Sequence, residues 1–214
     1  MESKVYFDSI AEDWETIRQG FFPPLVREKA IDIAALQPGQ RALDVGAGSG
    51  FLTEGLLAAG LQVVASDQSE AMLQELRRRL GNPESLQCLV GDAAALPLAG
   101  GSFDAVFANM VLHHMEDPGQ AIGEWSRLLR AGGVLVVSDL DAHSHEFLRS
   151  EQHDRWLGFQ REEIRDWLQE GGLEEITVNC AGADCCSNSG YSGEKASISI
   201  FIASGRKGSP REAR

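Results

Sequence analysis

Short apolar runs alternate along this chain with longer stretches of helical spacing, and that alternation leaves few folds open. Runs at 41–45, 62–66, 86–90, 103–108 and 134–139 are separated by helical patterns at 50–59, 69–80, 118–129 and 161–170. Strands buried on both faces read as continuous apolar runs, and strands joined through helices pair in parallel. The pattern therefore predicts an α/β fold, a parallel sheet covered by helices. Two further runs, 175–179 and 196–204, follow the last helical pattern with no helix between them and are expected to form an antiparallel hairpin at a sheet edge. The second alternates Ile198, Ile200 and Ile202, as a half-exposed strand does.

Ahead of the first strand, 6–36 reads as one or two amphipathic helices carrying Tyr6, Phe7, Trp14, Phe21 and Phe22, broken at Pro23-Pro24. They are expected to cap the sheet as a helical lid. No internal repeat or low-complexity linker divides the 214 residues, which predicts one domain over 1–207, with the lid at 1–36 and the core at 37–207. Gly, Ser, Pro and Arg from about Gly205 onward predict a disordered tail, with 208–214 outside the domain. Nineteen Lys and Arg against 32 Asp and Glu leave a net charge of -13, which disfavours phosphate backbones and anionic lipid surfaces as partners. No apolar stretch reaches membrane-spanning length, and four cysteines are too few for a disulfide scaffold. The expectation is a cytoplasmic monomer or homodimer that acts on a small-molecule substrate and binds neither nucleic acid nor membrane.

The sharpest local signal is Leu43-Asp44-Val45-Gly46-Ala47-Gly48-Ser49-Gly50, a strand entering a glycine-rich turn that opens a helix. Glycines let the backbone turn tightly and approach a ligand, and the helix N-terminus offers unpaired N–H groups. The spacing is G-x-G-x-G, with Phe51 where a dinucleotide fingerprint needs its third glycine. Asp44 would repel a phosphate and attract an ammonium group, so a zwitterionic or cationic ligand is expected. The second strand ends at Ser66-Asp67, where a carboxylate can accept both hydroxyls of a ribose, with Gln68 following and Met72 on a helix whose apolar side suits an adenine face. The third ends at Gly91-Asp92-Ala93, placed for an exocyclic amine. Each of these acids has a plainer reading as a helix cap. Ligands of an open parallel sheet bind at its carboxyl edge, so Asp44, Asp67 and Asp92 are expected to converge there.

These motifs resemble those of the class I S-adenosylmethionine-dependent methyltransferases, and within them the small-molecule type 11 branch, over about Tyr6 to Lys207. The segment 43–50 resembles the family's first motif, Asp67 its ribose-binding acid, 91–97 its adenine-side motif, 102–114 its fourth-strand segment and 128–133 the turn before its fifth strand. The resemblance implies a Rossmann-like three-layer sandwich whose seven-stranded, mostly parallel sheet has its last strand antiparallel. It implies S-adenosylmethionine as cofactor, held by Asp44, Gly46, Ala47, Gly48, Gly50, Asp67, Gln68, Met72, Asp92, Ala93 and Asn109, with Tyr6 and Trp14 contributing from the lid.

Methyl transfer from a sulfonium needs in-line approach of a nucleophile, so the protein mainly positions two ligands and excludes water. A base is needed only for an acceptor that arrives protonated. His113 and His114 are the candidate catalytic residues, although Leu-His-His also commonly ends this strand in the resembled branch, where it packs. Asp139, Asp141, His143 and His145 after the fifth strand could together bind a metal, but they read more simply as a solvated loop with a helix cap, so no resident metal is expected. A turn holding Cys180, Cys185 and Cys186 is expected on the cofactor edge, where three thiols, with His143 nearby, would receive a thiol or metalloid acceptor such as arsenite. Free thiols in a flexible loop are the plainer account, and Cys88 is expected in the core. Methyl transfer to a small molecule, with a thiol or metalloid as acceptor, thus stands against O- or C-methylation of a metabolite such as a quinol precursor. It stands also against a non-catalytic cofactor- or metalloid-binding module.

Overall fold

The computed structural model describes residues 2–208. Three helices open the chain, α1 (Glu2–Ile10), α2 (Trp14–Gln19) and α3 (Leu25–Ala34). The α/β alternation follows: β1 (Arg41–Val45), α4 (Phe51–Ala58), β2 (Gln62–Asp67), α5 (Glu70–Leu80), β3 (Leu86–Val90), β4 (Phe103–Asn109), a 3-10 turn (Leu112–His114), α6 (Pro118–Leu128) and β5 (Leu129–Leu140). The chain then runs through α7 (Phe147–Glu151), α8 (Arg161–Glu170), β6 (Leu173–Asn188) and β7 (Lys195–Lys207). All seven strands form one sheet in the order β3-β2-β1-β4-β5-β7-β6. The pairs among β1 to β5 are parallel, while β7 is antiparallel to both β5 and β6. Two reversals leave β6 parallel to β5, so its C-terminal half reaches the carboxyl edge of the sheet.

Alternate residues of each strand feed two cores. Ala42, Val63, Ala65, Phe107 and Val136 pack with Val26 of α3, Leu56 of α4 and Leu73 of α5. Their neighbours Leu43, Val64, Val106 and Val137 pack with Ile122 and Trp125 of α6 and Ile164 and Leu168 of α8. Burial on both faces is what made the strands read as unbroken apolar runs. The expected Rossmann-like three-layer arrangement, with its reversed last strand, is the observed one.

Several boundaries differ from the sequence reading. Residues 6–36 form three helices, with Pro23-Pro24 in the link between α2 and α3. The strand expected at 134–139 begins at Leu129, because Leu129 already pairs with Phe103 across a register shift. The strand expected at 175–179 extends over Leu173–Asn188; register breaks after Glu174 and Cys180, with φ of +51° at Glu175 and +71° at Gly182, erase the period-two pattern. Gly205 to Lys207 belong to β7 and not to a tail, and the remaining expected tail at 209–214 lies outside the described residues. Among the described residues, no helix is long and apolar enough to cross a membrane.

Candidate active site

Where β1 and β4 lie side by side, their following connections leave in opposite directions, and a crevice opens at the carboxyl edge between them. A cavity of about 810 Å³, counted to its open mouth, fills this position. Its floor is the glycine loop, through Gly46, Ala47 and Gly48; its sides are Asp67, Gln68 and Met72 after β2, Asp92 and Ala93 after β3, and Asn109, Met110 and Val111 at the end of β4. Phe7, Trp14, Arg18 and Phe22 close it from the N-terminal helices.

The loop must be glycine for a local reason. Gly46 has φ +64°, and a Cβ there would stand 2.3 Å from Val111 Cγ2; at Gly48, with φ +52°, it would face Trp14 Nε1 at 3.4 Å. Side chains at these positions would fill the cradle. Asp67 ties the loop to β2: Oδ2 accepts the N–H of Gly48 at 2.9 Å, and Oδ1 that of Ser69 at 2.8 Å. A carboxylate has further lone pairs, and those on Asp67 are left to the cavity. Burial raises its pKa, against the pull of these N–H donors. Asp92 accepts the N–H of Ala94 at 2.9 Å, and Asn109 Oδ1 accepts Ser138 Oγ–H at 2.7 Å.

Three expected cofactor residues stand off the wall. Asp44 is 1% exposed beneath the loop and accepts the Thr53 hydroxyl at 2.6 Å; burial pushes its carboxyl up to about 7. It braces β1 against α4 and does not line the cavity. Gly50 is backed by Leu76, 2.9 Å from where its Cβ would be. Tyr6 donates to Gln152 Oε1 at 2.9 Å and packs on Phe7 and His153.

Polar contacts fasten the N-terminal helices over the site. Ser69 Oγ donates to Asp8 at 2.6 Å, and Glu15 receives Ser49 Oγ–H at 3.1 Å and Arg79 at 3.4 Å. Glu15 also pairs with the buried Arg18, whose guanidinium lies 4.3 Å from the Phe51 ring centroid.

A second cavity of about 490 Å³ shares Phe7, Trp14, Phe22, Met110 and His114 with the first and adjoins it along these side chains; the two together make up the chamber of the site. It is apolar along Phe21, Leu140, Leu148 and Cys185, and polar at His113, Gln152, Asp154 and Ser187. Met110, at the junction, holds φ +57°, a left-handed conformation that an unbranched L-residue rarely adopts and that concentrates at functional sites.

His113 is buried with Nδ1 2.7 Å from Asp139 Oδ1 and Nε2 3.7 Å from Asp154 Oδ1. Burial alone would lower its pKa, but the two carboxylates outweigh it and raise the ring to about 9. His114 is held well below the ordinary range by burial and by the charge on His113, which keeps it neutral where the two cavities meet. His143 lies off both walls; its Nε2 is buried without a partner, and burial lowers the ring to about 4.

The expected three-thiol site does not form. The cysteines sit within β6 and not in the hairpin turn, and adjacent strand residues point to opposite faces: Cys185 is buried, Cys186 exposed. Cys185 alone reaches the chamber, and burial, helped by Asp154, pushes it up to about 12, so it remains a thiol. Cys180 is exposed and bonded to Gly182 N–H and Ser199. Cys88 is half-buried against the core. Among the described residues, the one set of metal-type donor atoms within 4.8 Å of one another is His113, His114 and Asp154.

Sequence reasoning left Arg18, Ser187 and Asp154 out of the site. Glu15 three residues before Arg18 was a usable signal of a helical ion pair. Asp154 had none: it arrives on a loop after α7, beside His153 with φ +59°.

Comparison with known proteins agrees with this geometry. The family model described as a methyltransferase domain matches residues 43–137. The chain is 42% identical over 113 residues to a demethylmenaquinone methyltransferase of Renibacterium salmoninarum, a match covering 53% of this chain and 46% of that protein. It is 29% identical over 180 residues to the rice chloroplastic 2-methyl-6-phytyl-1,4-hydroquinone methyltransferase 1, covering 82% of this chain and 54% of that protein. The chain thus spans about half the length of these curated relatives. In fold it is similar to a chain of the complex between the Haloferax volcanii Trm112 methyltransferase activator and the putative methyltransferase, with TM-score 0.78, 19% identity and coverage of 98% of this chain and 99% of that one.

Proposed function

We propose that this chain, whose residues 43–137 match the methyltransferase-domain family model, is a class I S-adenosylmethionine-dependent methyltransferase that transfers a methyl group to a small, largely apolar acceptor, a hydroquinone-like ring being the class best supported. The observation that carries this reading is the pair of adjoining cavities: a glycine-floored cavity edged by Asp67 and Asp92 shares Met110 and His114 with a second, largely apolar cavity. Both curated relatives described above are named for quinone or hydroquinone substrates, which supports the acceptor class.

The residues present fit the cofactor. A Cβ at Gly46 or Gly48 would invade the cradle, so bare backbone is available to the amino-acid end. Asp67 has lone pairs for the ribose hydroxyls, Asp92 can accept an adenine amine, and Met72 with Ala93 gives an apolar bed for the base. Asn109 would lie toward the methyl end. When bound, the cofactor supplies a methyl group on a cationic sulfur that leaves as a neutral thioether. The protein's own contribution is positional: Trp14 and Phe7 on the lid exclude water, Phe21, Leu140 and Leu148 hold an apolar ring, and neutral His114, on the wall of both cavities, can accept a hydrogen bond from the acceptor. Asp44 acts through Thr53 on the loop's footing. With Cys185 held as a thiol and its neighbours turned away, a metalloid acceptor has no thiolate set to meet it.

Two measurements test the reading. Calorimetry should show S-adenosylhomocysteine binding, weakened at least tenfold in Asp67→Ala. Incubation with methyl-labelled cofactor and a panel of reduced naphthoquinones, phenols, amines, thiols and arsenite should label the hydroxylated rings first. Absence of binding, or labelling confined to arsenite and thiols, would overturn it.

A further inference from the structure

The inner end of the second cavity holds two polar groups that receive no hydrogen bond from the described residues. Asp154 is 6% exposed, and among the described residues its carboxylate receives no hydrogen bond; it forms an ion pair with His113, whose Nε2 is 3.7 Å from Oδ1, beyond hydrogen-bonding range. Ser187 Oγ, on β6, is buried without a partner. Both line the same cavity, whose other walls are largely apolar. A buried polar group left unpaired is costly, and a carboxylate more so, which marks such groups as receptors for something that enters.

We propose that this end of the chamber recognises a hydroxyl group on the acceptor, with Asp154, His113 and Ser187 as its hydrogen-bonding partners, so that the acceptor class is a hydroxylated ring. The inference rests on the reading of the chamber as an acceptor site.

The donor and acceptor pattern selects a hydroxyl. Asp154 offers acceptors. His113 offers a donor at Nε2, because Asp139 takes its Nδ1–H at 2.7 Å and its neighbourhood of carboxylates keeps the ring doubly protonated. Asp139 is itself satisfied, receiving also the N–H groups of Leu140 at 2.8 Å and His113 at 3.3 Å, and so fixes the ring without competing for a ligand. An oxygen about 2.8 Å from both His113 Nε2 and Asp154 Oδ1 closes a triangle on the 3.7 Å gap with an angle of roughly 80°. Such an oxygen must give a proton to the carboxylate and receive one from the imidazolium. A hydroxyl does both; an ether only accepts, and an ammonium only donates. One ring nitrogen each of His113 and His114 and one carboxylate oxygen of Asp154 lie within 4.8 Å of one another, close enough for one small group to meet all three. The presenting loop is braced for this: His153 holds φ +59°, and its carbonyl lies 3.3 Å from His114 Nδ1.

The test compares 1-naphthol with 1-methoxynaphthalene, in which a methyl group replaces the hydroxyl proton, by calorimetry on the full chain with and without S-adenosylhomocysteine. The wild type should bind the naphthol about tenfold more tightly or better, since a site built around a hydroxyl leaves its own groups unpaired with the ether. Asp154→Ala should bring the two ligands within about threefold while leaving the ether's affinity unchanged; Ser187→Ala should lower the preference part-way, and Asp154→Asn, which keeps an acceptor, should retain more of it than the alanine variant. Melting temperature and S-adenosylhomocysteine affinity establish that each variant is folded. Equal binding of the two ligands by the wild type, or an undiminished preference in folded Asp154→Ala and Ser187→Ala, overturns the proposal. So does tight Zn²⁺ binding that requires Asp154 and excludes the naphthol, which would assign the cluster to a metal. Failure of the methyltransferase reading is separate: it shows as no cofactor affinity or no label transfer in a protein that still discriminates naphthol from its ether.

Discussion

Replacing Asp44 by Asn tests the claim that this acid is a buried brace. The carboxyl is raised from 3.8 to about 7, with burial as the main cause, the Thr53 hydrogen bonds opposing it and the Asp67 charge adding to it. A folded-state pKa above the unfolded one means that the native protein binds the extra proton. The associated stability is complete below the unfolded value near 3.8 and is lost as pH rises through about 7. A shift of about three units corresponds to about 4 kcal/mol over the full range, of which about 2.5 kcal/mol falls between pH 5 and pH 8. Asn imitates the neutral form and still accepts from Thr53, so it carries no such pH dependence. Urea unfolding of both proteins from pH 5 to pH 8, read as the difference between them, cancels the other titrating groups. The difference should swing by about 2.5 kcal/mol in favour of the variant as pH rises. A flat difference, within about 0.5 kcal/mol, would refute both the burial argument and the neutral-acid brace.

Three further outcomes follow from the site. Gly46→Ala combines a left-handed backbone with a Cβ 2.3 Å from Val111 Cγ2 and should cost about 2–4 kcal/mol in thermal or urea unfolding; adding Val111→Ala should recover the overlap part but not the backbone part. Glu15→Ala leaves buried Arg18 without its carboxylate and unfastens α2 from Ser49 and Arg79, so stability should fall by about 2–3 kcal/mol and S-adenosylhomocysteine affinity with it. Asp139→Asn removes the strongest raising influence on His113, whose ring should then titrate far below its present value of about 9 in an NMR pH series; the wild type's contribution from this pair is present below the ordinary histidine pKa and is lost as pH climbs through about 9. An unchanged titration would show that Asp154 alone holds the charge.

The sheet was readable because its signals are local. Each strand from β1 to β5 announces itself by an apolar run, and Gly46 and Gly48 sit where left-handed backbone is needed. The acids Asp67 and Asp92 reach the cavity because strand ends share one edge, a rule of topology that needs no contact information. The same rule misplaced Asp44, since a residue one step inside the strand is buried and not presented. The long edge strand β6 was shortened in the sequence reading because its two bulges break alternation, and with that error the thiols moved from a strand to a turn. Asp154 and Ser187 meet across 33 residues, through loop and bulge geometry that leaves no periodic trace.

The two halves of the chamber are encoded in different stretches of the chain. Gly46, Asp67, Asp92 and Asn109 fall within 43–137, whereas the walls of the second cavity, apart from Met110, His113 and His114, come from the N-terminal helices, the stretch 140–154 and the end of β6. Mutation in the stretch 140–154 or at the end of β6 can therefore reshape the second cavity without touching a residue that lines the first. A change in the N-terminal segment, which supplies Phe7, Trp14 and Phe22 to both cavities, instead alters the two together.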